Sequence, residues 1–117
     1  MPLLLWASVC LGADPVPNTE GLDFFERHIR PLLIEHCHEC HSEAHKIKGG
    51  LRLDLRRGWE KGGDTGPAIE PGSPEKSLLL EAVQYGNPDL EMPPKGPLSS
   101  AEIDVIETWI RMGAPDP

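Results

Sequence analysis

The sequence predicts a small, predominantly helical single domain. Its length of 117 residues suits one such unit. Apolar residues recur at helical spacing in two places, Leu22, Phe25, Ile29, Leu32 and Leu33 near the start and Ile103, Ile106, Trp109 and Ile110 near the end. Two helix-start signals, Ser73-Pro74-Glu75 and Ser99-Ser100-Ala101-Glu102, punctuate the second half. There is no internal repeat and no stretch long and apolar enough to span a bilayer. Aromatic residues make up only 5% and apolar residues 38%, so a compact fold of this size gains from a staple or a bulky cofactor.

The chain opens on an apolar run, Leu3 to Ala13, that resembles the core of an export signal, and residues 1–13 are expected to be an export leader. The basic residues that normally precede such a core are missing, and Leu11 interrupts the small-residue pattern for cleavage after Ala13. Cys10 is a poor match to a lipid-attachment site. Residues 14–21 read as a linker broken by Pro15, Pro17 and Asn18. The domain proper is expected over 22–117, opening with a helix from about Leu22 that Pro31 should kink or restart from a first-turn position.

That helix leads into Cys37-His38-Glu39-Cys40-His41. Two cysteines three apart, followed at once by histidine, read as a covalent haem attachment site. Each thiol adds across one haem vinyl group to form a thioether, and the following histidine lies under the iron, which it ligates through a ring nitrogen. A second axial ligand is then needed, and Met92 is the candidate. Met1 would be lost with a leader, and Met112 falls in the last turn of the last helix, a core or surface position. Pro93 and Pro94 stiffen the backbone after Met92, so the thioether is presented without large entropy loss. His28, His36, His38 and His45 are expected to be solvated or locally bonded; His38 should point away from the iron, and His45 competes as a ligand only if the Met92 loop is displaced.

Between these ligands, residues 46–72 are glycine-rich and irregular, with a short helix near Asp54 to Trp59. The glycines lack phosphate-loop spacing. A loop this long in a compact domain needs a reason, and wrapping a haem edge is one. A second helix is expected from Ser73, with Pro74 at its first position, Leu78, Leu79, Leu80 and Val83 as its apolar contacts, and Gly86-Asn87-Pro88 as its end. The last helix starts with a capping box at Ser99 and Glu102 and stops at Gly113.

The net charge of −8 excludes nucleic-acid binding as the main task. Residues 46–61 carry +4 of it, leaving −12 elsewhere. These cations form a solvated loop, or one or two of them face the haem propionates, while the acidic remainder steers a basic redox partner. Arg52, Trp59 and Tyr85 either line the haem edge or simply pack.

The chain resembles the planctomycete-type cytochrome c domain, a small class I cytochrome c, from about Phe24 to Pro115. The resemblance rests on His28 to Leu33, Cys37 to His41, Lys48-Gly49-Gly50-Leu51-Arg52-Leu53-Asp54, Gly62 to Ile69, Pro71 to Leu78, Met92-Pro93-Pro94-Lys95 and Trp109 to Pro115. It implies an all-α fold whose first and last helices cross beside a covalently bound haem, with Phe25 and Trp109 in contact at the crossing. It also implies thioethers at Cys37 and Cys40, His41 as proximal ligand, Met92 as distal ligand, and one-electron transfer with a redox partner protein rather than catalysis. Such domains often sit in much larger exported proteins, so this one is a free carrier or an electron-feeding module. Two rivals stand beside this reading: a zinc site from Cys37, Cys40, His41 and His45, crowded into nine residues, and a haem sensor or peroxidase with a labile sixth position.

Overall fold

The computed structural model describes residues 18–117. The expected leader, Cys10 and most of the expected linker lie outside them. The described residues are all-α: five helices, two single 3-10 turns, and no strand beyond two isolated bridges, His41–Ile47 and Gly63–Gly66. None of these helices is long and apolar enough to cross a membrane.

The first helix starts earlier than the apolar spacing alone indicates. The Asn18 side chain accepts the Gly21 N–H at 2.9 Å and caps α1, Thr19–Phe24, so the end of the expected linker is helical. A wide π turn, Phe25–Ile29, follows, in which the Arg30 N–H reaches back five residues to the Phe25 carbonyl. Then α2, Arg30–His36, carries Pro31 in its first turn. Proline has no N–H to donate and crowds the carbonyl four residues back. The widened turn sits where that defect must be absorbed, which is how Pro31 stays inside a continuous helical rod. Of the expected face, Phe25, Ile29, Leu32 and Leu33 are buried, and Leu22 is half-buried.

α3, Arg56–Lys61, begins two residues later than expected because Leu55 is fully extended. The second expected helix is split. Ser73 starts only a 3-10 turn, Pro74–Lys76, and its side chain caps nothing. The chain extends at Ser77 before α4, Leu78–Val83, which stops short of Gly86. Ser77 is buried and explains the break: its hydroxyl accepts the Glu70 N–H at 3.0 Å and faces the Ser73 carbonyl at 3.0 Å, tying the loop to the helix start. α5, Ser100–Arg111, has the full capping box at Ser99 and Glu102.

The α1–α2 rod crosses α5 through Phe25 and Trp109, whose rings lie 5.8 Å apart. Trp59 from α3 packs edge-on against Trp109 at 6.1 Å. Both indoles are fully buried, with Ile29 and Ile110 beside them. Trp59 is therefore a core residue rather than a haem-edge one. Each indole N–H also finds an acceptor in the C-terminal tail, Trp109 on the Pro115 carbonyl at 2.8 Å and Trp59 on the Asp116 carboxylate at 2.9 Å. A buried indole N–H needs such a partner.

Asp116 is buried, and burial raises its carboxyl above the ordinary 3.8, against the Trp59 hydrogen bond and the charges of Arg30 and Arg56. The folded state then holds this proton more tightly than the unfolded one, so the charged group costs stability at neutral pH and the cost is relieved as pH falls through the raised value toward 3.8. Asp116→Asn, which keeps an acceptor for Trp59, should be as stable as wild type or more so at pH 7, and wild type should gain on it at pH 4. Asp116→Ala strands the indole N–H and should lose about 1–3 kcal/mol. Urea melts at the two pH values decide; an Asn variant as damaged as the Ala variant would show that the charge itself is needed.

Candidate functional site

The rod ends at the motif. The Cys37 N–H closes α2 on the Leu33 carbonyl at 2.8 Å, and the N–H groups of Cys40 and His41 turn back onto the Cys37 carbonyl at 3.2 and 3.0 Å. This tight turn is what places Cys37, Cys40 and His41 together in the wall of one cleft. Segment 47–53 is fastened along it: Lys48 N–H to the Cys40 carbonyl at 2.8 Å, and Leu53 N–H to the His41 carbonyl at 2.7 Å. The His41 ring is held by the same segment, its Nδ1–H donating to the Leu51 carbonyl at 3.2 Å. A carbonyl only accepts, so the proton sits on Nδ1 and Nε2 keeps its lone pair.

Met92 lines the same cleft. Its N–H donates to the Ala82 carbonyl at 3.1 Å, tying the loop to α4. The Tyr85 hydroxyl donates to the Pro93 carbonyl, so Tyr85 braces the Met92 loop instead of lining the cleft. Lys95 pairs with Glu39 at 3.2 Å and joins this loop to the attachment motif, though an exposed pair of this kind adds little stability.

The cleft encloses about 870 Å3, part of it open to solvent. Its walls are mainly apolar, with Leu51, Leu53, Ala68, Leu79, Ala82 and Val83 prominent, and Lys48, Asp64 and Thr65 bring polar groups to it. Gly49, Gly63 and Gly66 line one part of it, and their loops meet closely. Gly62 has φ +75° and a Cβ there would run into the Gly66 carbonyl, while a Cβ on Gly63 would run into the Gly49 carbonyl. The two glycine loops can stack only because neither position has a side chain, which gives residues 46–72 the structural reason their length requires.

Of the basic stretch, only Lys48 lines the cleft. Arg52 is paired with Asp54 at 2.9 Å and Glu43 at 3.1 Å, and that guanidinium pulls the Asp54 carboxyl down to about 2. Cys37 is buried, and burial, with Cys40 adding to it, pushes its thiol up to about 12. A thiolate is disfavoured there, whereas a neutral thioether sulfur has no charge to desolvate. The zinc rival needs thiolates and needs four residues to converge. Among the described residues, the three-member group of potential ligands that does converge is Glu35, His36 and Glu102, not Cys37, Cys40, His41 and His45.

The remaining histidines divide. His28 lies exposed against the Phe24 ring at 4.9 Å. His38 does not line the cleft, and its Nε2 is buried without a partner among the described residues. His45 is exposed and outside the cleft lining. His36 does line the cleft, and its Nε2–H donates to Glu102 at 2.8 Å. No short-range pattern marks that pair, whose members lie at opposite ends of the chain, nor the Leu51 carbonyl, since every residue has one.

An apolar cleft with two thiols at one wall, an imidazole with a free Nε2 and a thioether fits haem c: apolar walls for the macrocycle, sulfurs for its vinyl groups, nitrogen and sulfur donors for iron. Comparison with family models matches residues 37–96 to Planctomycete cytochrome C. No curated protein and no solved structure matches the chain. The matched span is just over half of the chain and contains Cys37, Cys40, His41 and Met92, and the protein thus belongs to the planctomycete cytochrome C family, whose cofactor is covalently bound haem c.

Proposed function

We propose that this domain is a one-electron carrier with His41 and Met92 as the axial ligands of its haem, acting outside the cytoplasm on a redox partner protein and catalysing no reaction of its own. Haem c supplies the ferric–ferrous couple. The chain's residues do the rest. Cys37 and Cys40 hold the group by thioethers, the apolar walls exclude water, and His41 and Met92 set the couple. The observation that carries this reading is the His41 Nδ1–H bond to the Leu51 carbonyl, in a cleft that Met92 also lines. It fixes the tautomer and points to Nε2 as the donor. The apolar opening Leu3 to Ala13 supports export.

The test is Met92→Ala. Wild type should be low-spin in both redox states, with the weak red absorption band of an iron–methionine bond in the oxidised form. The variant should lose that band, turn high-spin and fall in reduction potential, because a thioether favours the ferrous state. A spectrum that the substitution leaves unchanged overturns Met92 as ligand. A wild type that is already high-spin would instead favour a sensor or peroxidase-like site.

A further inference from the structure

We propose that His36 and Glu102 form a redox-linked proton site, so that the domain takes up a proton with its electron across part of the pH range. This rests on the electron-carrier reading and adds a second function to the cleft. His36 is the last residue of α2 and belongs to the lining of the cleft. Its side chain is 25% exposed, so the ring is partly withdrawn from water yet in reach of it. The Nε2–H donates to Glu102 at 2.8 Å, which leaves Nδ1 free to bind a proton; no hydrogen bond among the described residues engages Nδ1. Glu102 is fixed in turn, since its other oxygen accepts the Ser99 N–H at 3.0 Å in the capping box of α5. The carboxylate therefore cannot swing away when the imidazole changes charge.

The charged groups nearest the ring are carboxylates. From its own helix, Glu35 stands 3.7 Å from Nε2, and from α5 comes Glu102. A groove on the outer side of His36 is shared with Glu39 and Lys95, which pair with each other and largely cancel. Lys48 and Asp64, also of opposite sign, belong to the cleft lining with Cys37, Cys40 and His41. Two carboxylates thus face one imidazole with no unbalanced cation from the elements packed around it.

His36 then responds to the charge in the cleft. When a one-electron donor protein delivers an electron, the cleft loses one positive charge, and His36 takes a proton from solvent onto Nδ1. When the electron leaves, the proton returns to solvent. The proton accompanies the electron in a fraction of the molecules, largest at pH values between the proton affinities of the two redox states, and where it does the net charge of cleft plus pair is unchanged. A unit charge about 10 Å away at an effective dielectric of about 20 alters a proton affinity roughly tenfold. For a one-electron couple, tenfold is about 59 mV.

The experiment is a spectroelectrochemical titration of the haem-loaded protein from pH 5 to 8, the range in which imidazoles change charge. The wild-type potential should fall by about 59 mV across that range. His36→Gln should flatten the curve while the low-spin spectrum stays. Glu102→Gln keeps a capping-box residue but removes the anion, and should move the sloping region to lower pH. His28→Asn, at an exposed position away from the cleft, should leave the curve as it is. A flat wild-type curve, or a slope that survives in His36→Gln because the proton sits on a propionate, overturns the proposal. Should His36→Gln fail to load haem, an unshifted curve in Glu102→Gln overturns it and a shifted one upholds it. A high-spin wild type would strike at the His41/Met92 reading instead, and the spectrum recorded with each potential keeps the two failures apart.

Discussion

Trp109→Ala should lose about 3–5 kcal/mol of stability, a large share of the roughly 5–15 kcal/mol that holds a domain together. Trp109 is fully buried and sits where everything meets: Phe25 of the first rod at 5.8 Å, Trp59 of α3 at 6.1 Å, and the C-terminal tail through its N–H on Pro115. Truncation leaves a cavity lined by the two other rings and strands a backbone carbonyl. Collapse cannot fill it cheaply, because each wall belongs to a different element. Trp109→Phe keeps a ring against Phe25 and Trp59 and should lose less. The damage should also reach the cleft, since α5 carries the Glu102 that holds His36. Urea melts and the fraction of chains that carry haem measure both effects. A loss below about 1 kcal/mol for Trp109→Ala would show that the helix crossing is not the keystone that its burial indicates.

Replacing both Cys37 and Cys40 with Ala should change the bond to the cofactor completely: all of the haem should become extractable into acidified organic solvent, where none is from wild type. Each single variant keeps one thioether and should retain its haem. The two singles should differ in stability. Cys37 is buried in the core cluster, whereas Cys40 is half-exposed, so Cys37→Ala leaves the larger void and the lower melting temperature. Haem that resists extraction from the double variant would mean that the attachment chemistry lies elsewhere in the chain. His41, held by Leu51 and not by the thiols, should still bind iron in that variant, and a retained Soret band before extraction checks this.

Much of this domain was legible in its residues because the signals are local. The capping box at Ser99 and Glu102, the apolar spacing of both crossing helices, and Cys37 to His41 all act within one or two turns of chain, where hydrogen-bond geometry and side-chain direction follow from sequence separation alone. Membership in the family follows from the same short motifs. What was misread or left open shares the opposite property. The helix expected from Ser73 breaks at Ser77 because that hydroxyl answers to Glu70 across a turn. Pro31 does open α2 from its first turn, but the wide π turn that joins α2 to α1 without a break is not marked in the sequence. Arg52 and Trp59, which the sequence left open between the haem edge and packing, go to Asp54 and Asp116.

The sequence by itself determined the helical class, the order of the main elements, the attachment motif and the candidate pair His41 and Met92. Those depend on spacing, and spacing is read along the chain. Only the tertiary structure decided which atoms act on one another across it: the Leu51 carbonyl that sets the His41 tautomer, the Ala82 and Tyr85 contacts that brace the Met92 loop, and the Glu102 carboxylate beside His36. A hydrogen bond or a charge acts over a few ångströms of space, and residues 66 positions apart come within 2.8 Å only because two helices cross.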